Sequence, residues 1–439
     1  MTLLSTVISL VEKGHNIVLH GPGGVGKSYT ICHLVQHYRE KGIYSIQVTA
    51  LTGVAAVVLS QSGVKARTLH SWAGVGLADK SAETLAGTIL NYQTARARWQ
   101  NTSVLIIDEM SMMGHDFFEK LDTIGRIVRK CDKPFGGIQL VLSGDFLQNP
   151  PINAKYIFMS ELWPEIPFTW LDLTVPKRYS DPVWFQRLLR FRLGTHTQED
   201  WDFLKTRHLA WNEKLKELKS GKTMIMPTNL KAKKRDVRAE NELELHNLPG
   251  EPKTYISEYL FNEKKGGRMN REYVIKMFED QVEHIVNLKP GAQVMLKKNM
   301  DVDLGLVNGS RGIVTQIEPV GVEVLWVSGR KTWVAPAAWE YEDDDGEYKC
   351  IQIPLVLAWT ATIHKSQSAT LDSVAVDLSD IFGTGQAYVG LSRVREEQGL
   401  FVTALVSSKK INASKVVLDF LREVEKKEPD GVITEVVVT

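Results

Sequence analysis

The segment Gly21-Pro22-Gly23-Gly24-Val25-Gly26-Lys27-Ser28 constrains this chain more than any other. It fits the pattern G-x-x-x-x-G-K-[ST]. The apolar run Ile17-Val18-Leu19 comes just before it, and residues 27–41 after it have helical character. A strand that passes through such a turn into a helix opens a βαβ unit, and so predicts a parallel sheet. The glycines let backbone N–H groups turn inward around a phosphate. Lys27 neutralises the β and γ oxygens, and Ser28 offers a hydroxyl to Mg²⁺. The loop residues Gly21 to Ser28, with Tyr29 beside them, are the candidate nucleotide-binding set.

Further apolar runs at residues 44–49, 104–107 and 140–142 alternate with helical stretches, and this α/β block ends near Leu171. Asp108 and Glu109 follow the run at 104–107. A carboxylate at a strand end beside a phosphate loop can hold the water shell of a metal ion, and an adjacent one can polarise an attacking water. Asp108 is therefore read as the Mg²⁺ residue and Glu109 as the general base. Residues 184–193 and 201–218 read as helices, 223–226 as a strand and 231–244 as a charged helix. From 286 to 334 short β runs alternate with glycine turns, which suggests a small barrel or sandwich. Parallel-sheet texture returns at 355–357, 374–376 and 400–405. The economical reading is a second α/β domain interrupted by a β-rich insertion.

Composition sets outer limits. The chain has 439 residues, enough for roughly three domains at about 150 residues each, and its 43% hydrophobic and 24% charged residues are those of a globular protein. Its net charge of +1 names no partner. Cys32, Cys131 and Cys350 are odd in number and far apart, which fits neither a disulfide framework nor a metal-ligand spacing and favours a reducing compartment. No apolar run reaches the ~18 residues of a membrane span. No targeting segment is expected before the loop, so the protein is expected to be intracellular.

Five further segments sharpen the reading. Thr49-Ala50-Leu51-Thr52-Gly53-Val54-Ala55-Ala56 and Thr68-Leu69-His70-Ser71-Trp72-Ala73-Gly74 lie between the nucleotide motifs. Gly144-Asp145-Phe146-Leu147-Gln148-Asn149-Pro150-Pro151, Ile363-His364-Lys365-Ser366-Gln367 and Gly385-Gln386-Ala387-Tyr388-Val389-Gly390-Leu391-Ser392-Arg393-Val394-Arg395 follow. In this order the chain resembles the superfamily-one DNA helicases of the petite-integration-frequency (PIF) type, with RecD and Dda helicases as cousins. Residues 288–295 and 307–312 are similar to that family's inserted barrel, and the resemblance covers roughly residues 14–402.

The resemblance implies two RecA-like P-loop domains with parallel sheets and a small SH3-like β-barrel insertion. The first would span 1–171, with a wedge insertion at about 75–100. The second would comprise 172–238 and 351–439, with the insertion at 239–350. It implies ATP and Mg²⁺ as cofactors, and an ATP-dependent helicase moving 5′ to 3′ on single-stranded DNA in replication, repair or recombination. Single-stranded and forked or tailed duplex DNA would be its partners, with no membrane, and a monomer its working form. Gln148 would sense the γ-phosphate. Arg393 and Arg178 would reach that phosphate from the other domain, Arg178 having a structural ion pair as its alternative. Gln367 and Gln386 would touch nucleotide, with Gln367 also able to couple the two sites. Thr49, Thr52, Thr68, His70, Trp72, Thr362, His364, Lys365 and Ser366 would contact DNA, with Trp72 equally readable as core. The basic run Lys231, Lys233, Lys234, Arg235 and Arg238 reads first as a solvated helix face and second as a phosphate track. The chain departs from the family pattern near Leu4, where the adenine-reading Gln is missing, and at Asn149, Pro176, Lys177, Tyr179 and Ser368. Two rival readings remain: a P-loop remodeller indifferent to nucleic acid, and a strand-binding module with weak ATPase. The source is left open between cellular, phage and viral.

Overall fold

The computed structural model describes residues 3–219, 225–264, 271–279, 282–301, 304–342, 346–364, 366–367, 369–405 and 407–427. The chain divides into two compact units, Met1–Ser180 with Ala413–Thr439, and Asp181–Asn412.

The first unit is built on six parallel strands: β1 (Asn16–His20), β2 (Ile46–Ala50), β3 (Ala66–Thr68), β4 (Val104–Asp108), β5 (Gln139–Gly144) and β6 (Phe168–Asp172). Their order is β3-β2-β4-β5-β1-β6. β4 is buried along its whole length, as a parallel strand covered on both faces requires. Phe118, Leu121, Ile124 and Val128 of the helix His115–Arg129 pack in one core with Leu105, Ile107, Leu140 and Leu142. The register brings His20 opposite Gly144 and Asp172, and Ala50 opposite Asp108 and Thr68. The carboxyl ends of the strands thus form one edge, the side on which open α/β sheets bind ligands. Residues 75–100 carry the helix Ala82–Leu90 and most of Gln93–Asn101, whose Leu85, Ala86, Ile89 and Trp99 are buried in that core.

Two boundaries differ from expectation. Residues 172–180 stay with the first unit, because the Leu173 N–H continues the β6 edge by donating to the His20 carbonyl at 2.8 Å. The helix Lys415–Lys427, expected with the second domain, also belongs to the first unit. Its Phe420 stacks on Phe158 at 4.0 Å and 4° and meets Phe146, Trp163 and Trp170 near edge-on. This aromatic pocket gives the helix's apolar face a place to bury.

The second unit holds a four-stranded parallel sheet in the order Thr360–Thr362, Thr228–Lys231, Val374–Asp377, Leu400–Ala404. The strand expected at 223–226 falls partly outside the described residues, and the observed one starts at Thr228. The charged helix is Lys234–Asn247. Five antiparallel strands form a separate sheet, in the order Lys331–Val334, Gly321–Trp326, Arg311–Glu318, Gln293–Leu296, Leu355–Leu357. Leu355–Leu357, expected in the parallel sheet, pairs instead with Gln293–Leu296. A three-stranded and a two-stranded antiparallel sheet complete the β-rich region. Arg311, 2% exposed, donates to both carboxylate oxygens of Asp372, at 2.7 and 2.6 Å, and so ties that region to the parallel sheet. Among the described residues no helix is long and apolar enough to cross a membrane.

Candidate active site

The loop Gly21–Ser28 leaves β1 at the carboxyl edge. A Cβ on Gly21 would lie 2.4 Å from the Leu173 carbonyl oxygen, and one on Gly24 (φ +86°) would lie 2.7 Å from the Arg178 Cβ. Glycine is required at both places by close backbone approach. The Gly24 carbonyl accepts from the Lys177 and Arg178 N–H groups at 2.8 and 3.0 Å. The helix Lys27–Glu40 starts at Gly26 with no side-chain cap, which leaves its first N–H groups free of the usual side-chain acceptor. Lys27 Nζ donates to the carbonyls of Gly21 and Pro22 at 2.7 and 2.9 Å, so the ammonium lies over the loop. Tyr29 is exposed and its ring lies tilted against His33, with centroids 3.9 Å apart.

Asp108 ends β4 and is buried. Its carboxylate accepts from Ser143 Oγ at 2.7 Å. Burial pushes the Asp108 carboxyl above the usual range, and the Ser143 bond and the Lys27 charge oppose that push. Glu109 follows at φ 58°, ψ 39°, a left-handed conformation uncommon outside glycine. Such backbone strain gathers at functional sites. Gln148 sits in the turn after β5 and is buried, with its N–H donating to the Asp145 carbonyl at 3.0 Å and its Nε2 to Asp145 Oδ2 at 3.3 Å. Loop, Asp108, Glu109 and Gln148 therefore all leave the carboxyl edge of one sheet.

The arginines differ from expectation. Arg178 lies in the same unit as the loop, held against Gly24, and is not an arm from the second domain. Its Nη1 is buried with no hydrogen-bond partner among the described residues. Arg393 is 1% exposed, and its guanidinium donates to the Val389 and Ser366 carbonyls at 2.6 and 3.1 Å and to Ser392 Oγ at 2.8 Å. It is a strut inside the second unit, not a free finger. Gln386, 2% exposed, spends its amide oxygen on the N–H groups of Phe382 and Gly383. Gln367 is buried in the turn after Thr360–Thr362.

The expected DNA contacts divide in the same way. Thr49 is fully buried and donates to the Ile106 carbonyl at 2.8 Å, so it braces β2 against β4 and offers nothing to a strand. Trp72 is fully buried and packs on Trp99 at 4.5 Å, as core. Thr52 and Thr68 cap the helices Gly53–Gln61 and Leu69–Ala73. His70 stacks on Phe117 at 4.3 Å and 12°, and burial holds its pKa below the usual value. In the second unit Thr362 is buried, burial lowers the His364 pKa, and Ser366 Oγ donates to the Ile363 carbonyl at 2.8 Å. Ser366 is thus committed to its own turn, while Lys365 and Ser368 lie outside the described residues. Lys231, Lys233 and Arg238 of the basic run pair with Glu240, Asp380 and Glu242.

Sequence reasoning gave no role to Ser143, Asp145, His20 or Asp172, which buttress the site from behind. The readable signals were a serine in an apolar strand, a carboxylate inside a quoted motif, and a histidine just before the phosphate loop.

The profile of the PIF1-like helicase family matches residues 2–182, and that of the 2B domain of DNA helicase Pif1 matches residues 278–317. The chain is 36% identical over 436 residues to the ATP-dependent DNA helicase PIF1 of Xenopus laevis, covering 96% of this chain and 64% of the relative. It therefore spans under two thirds of that curated relative's length. The crystal structure of Pif1 helicase from Candida albicans is similar at 31% identity and a TM-score of 0.73, covering 96% of this chain and 98% of that one. A Pif1 helicase from Bacteroides in complex with ADP-AlF3 and single-stranded DNA is similar at 25% identity and a TM-score of 0.62, covering 97% of each chain.

Proposed function

The chain belongs to the PIF1-like helicase family, and on that premise we propose that it is an ATP-dependent DNA helicase that moves 5′ to 3′ along single-stranded DNA and unwinds the duplex ahead. The observation that carries this reading is the convergence of the loop Gly21–Ser28, Asp108, Glu109 and Gln148 on one sheet edge. An uncapped helix start and Lys27 would take the phosphates. Glu109 would accept a proton from the attacking water, and Gln148, an amide that donates and accepts without charge, would read the γ-phosphate. Arg178, with a buried and unpartnered Nη1 beside the loop, is proposed as the guanidinium that meets charge growing on the transferred phosphoryl group.

Mg²⁺ fits the donors present. Ser28 and Asp108 offer hard oxygen ligands, and among the described residues no group of three or more His, Cys, Asp or Glu gathers as a metal cage. Magnesium in such enzymes takes one or two carboxylates and completes its shell with phosphates and water. The ion would supply charge neutralisation on the phosphate oxygens.

Thr52, Thr68, His70 and His364 are the proposed strand contacts, with the His70–Phe117 pair as a stacking face. We assign replication, repair or recombination as the setting, a monomer as the working form, and tailed or forked DNA as the substrate. The test is unwinding of duplexes bearing a 5′ or a 3′ single-stranded tail, with ATP and Mg²⁺. The 5′-tailed duplex should be opened and the 3′-tailed one left intact. The reverse preference would overturn the direction, and failure on both would overturn the helicase reading.

A further inference from the structure

The residue after Ser28 is an exposed aromatic. Tyr29 is 63% exposed and lies in the first turn of the helix Lys27–Glu40. The first bond inside that helix is donated by the Thr30 N–H to the Gly26 carbonyl, at 3.0 Å. The Tyr29 N–H therefore belongs to the uncapped turn proposed to take phosphate. Its side chain is backed by a second ring. His33, one turn on, is half-buried, and its Nδ1 donates to the Tyr29 carbonyl at 2.9 Å. The His33 ring leans back over the turn that carries Tyr29, as helix side chains do, with centroids 3.9 Å apart and planes at 33°. A lone surface aromatic needs no role. This one is braced by its neighbour, and the same residue supplies an N–H to the phosphate turn.

The base edge has no matching reader nearby. The helix Leu3–Glu12 joins the helix Lys27–Glu40 through Glu12, which pairs with His37 at 3.0 Å. Its residues from Leu3 to Val11 carry apolar and hydroxyl side chains only, so the place of the adenine-reading Gln offers no amide. Stacking accepts every base, because every base has a π-face, whereas discrimination needs donors and acceptors matched to the base edge. We propose that the Tyr29 ring, backed by His33, is the platform on which the nucleobase stacks. It holds the base by its face without reading its edge, so ATP, GTP, CTP and UTP all serve as substrates. The proposal rests on the loop Gly21–Ser28 as the triphosphate site.

The test is hydrolysis of each of the four nucleotides by the full chain with Mg²⁺ and single-stranded DNA. Inorganic tripolyphosphate, which has no base, is the competitor that reports on the loop alone. Wild type should show KM values for the four within about fivefold of one another. Tyr29→Ala should raise the KM for ATP about tenfold, the scale of one lost base–aromatic stack, with kcat within about twofold. The Ki of tripolyphosphate should stay within about twofold, and Tyr29→Trp should keep the KM for ATP within about threefold of wild type. An unchanged KM in Tyr29→Ala would overturn the proposal. So would a tripolyphosphate Ki that rises with the KM, since the lesion would then lie in the phosphate turn. A wild-type preference for ATP over GTP beyond about fiftyfold in kcat/KM would overturn the face-only reading. Lys27→Ala separates the premise from the proposal: turnover equal to wild type would mean that the reading of the loop itself had failed.

Discussion

Asp108 carries opposing demands in one carboxyl. The metal role proposed for it needs it ionised, whereas its burial at the end of β4 favours the proton. Its folded pKa is raised, so its contribution to stability is full below the unfolded value, about 3.9, and is lost as pH rises through the folded value. Asp108→Asn keeps an acceptor for Ser143 Oγ and removes the ionisation. It should abolish ATP turnover and melt higher than wild type at pH 8, with the gain shrinking toward pH 4, as melting curves across that range would read. A variant no more stable at pH 8 would contradict the electrostatics assigned to this residue. At this scale the sequence was legible wherever chemistry needs a fixed spacing, as in Gly21 to Ser28, because such a loop determines its own backbone. It was not legible at Thr49, Trp72 and Arg393. Whether a threonine, a tryptophan or an arginine faces solvent or core is set by neighbours distant in sequence, here Ile106, Trp99 and the carbonyl of Ser366.

At the scale of elements, the helix Lys415–Lys427 was the largest surprise. It carries no catalytic motif, and its partners lie in the stretch from Phe146 to Trp170, so nothing local announced where it docks. Its packing is aromatic. A buried large apolar side chain contributes about 1.5–3 kcal/mol, and an aromatic pair roughly a further 0.5–1.5 kcal/mol. Phe420 is only partly buried, so Phe420→Ala should destabilise the first unit by about 2 kcal/mol. Denaturant unfolding followed by tryptophan fluorescence, with Trp163 and Trp170 near the lesion, would measure it. A loss below about 0.5 kcal/mol, the scale of a surface change, would mean that the helix adds little to that core. The strand Leu355–Leu357 teaches a related lesson. Its apolar run was read correctly as a strand, but its sheet was not, because a short apolar segment does not encode whether its partner runs parallel or antiparallel.

At the scale of the whole molecule, the α/β class and parallel sheets were legible because apolar strands alternating with helices admit few other solutions. The division between units was less so, since residues 413–427 return to the first after the second is complete. Net charge remains uninformative, and three residues of the basic run, Lys231, Lys233 and Arg238, are paired with carboxylates. The strand contacts proposed at Thr52, Thr68, His70 and His364 would add dispersed donors and a stacking face. The central claim is that this nucleotide site is coupled to single-stranded DNA. Its most direct test is the rate of ATP hydrolysis with and without single-stranded DNA, with Lys27→Ala as the blank. The account predicts stimulation of about tenfold or more, equivalent to ~1.4 kcal/mol of barrier, and none in the variant. An appreciable wild-type rate that is the same with and without DNA would contradict it.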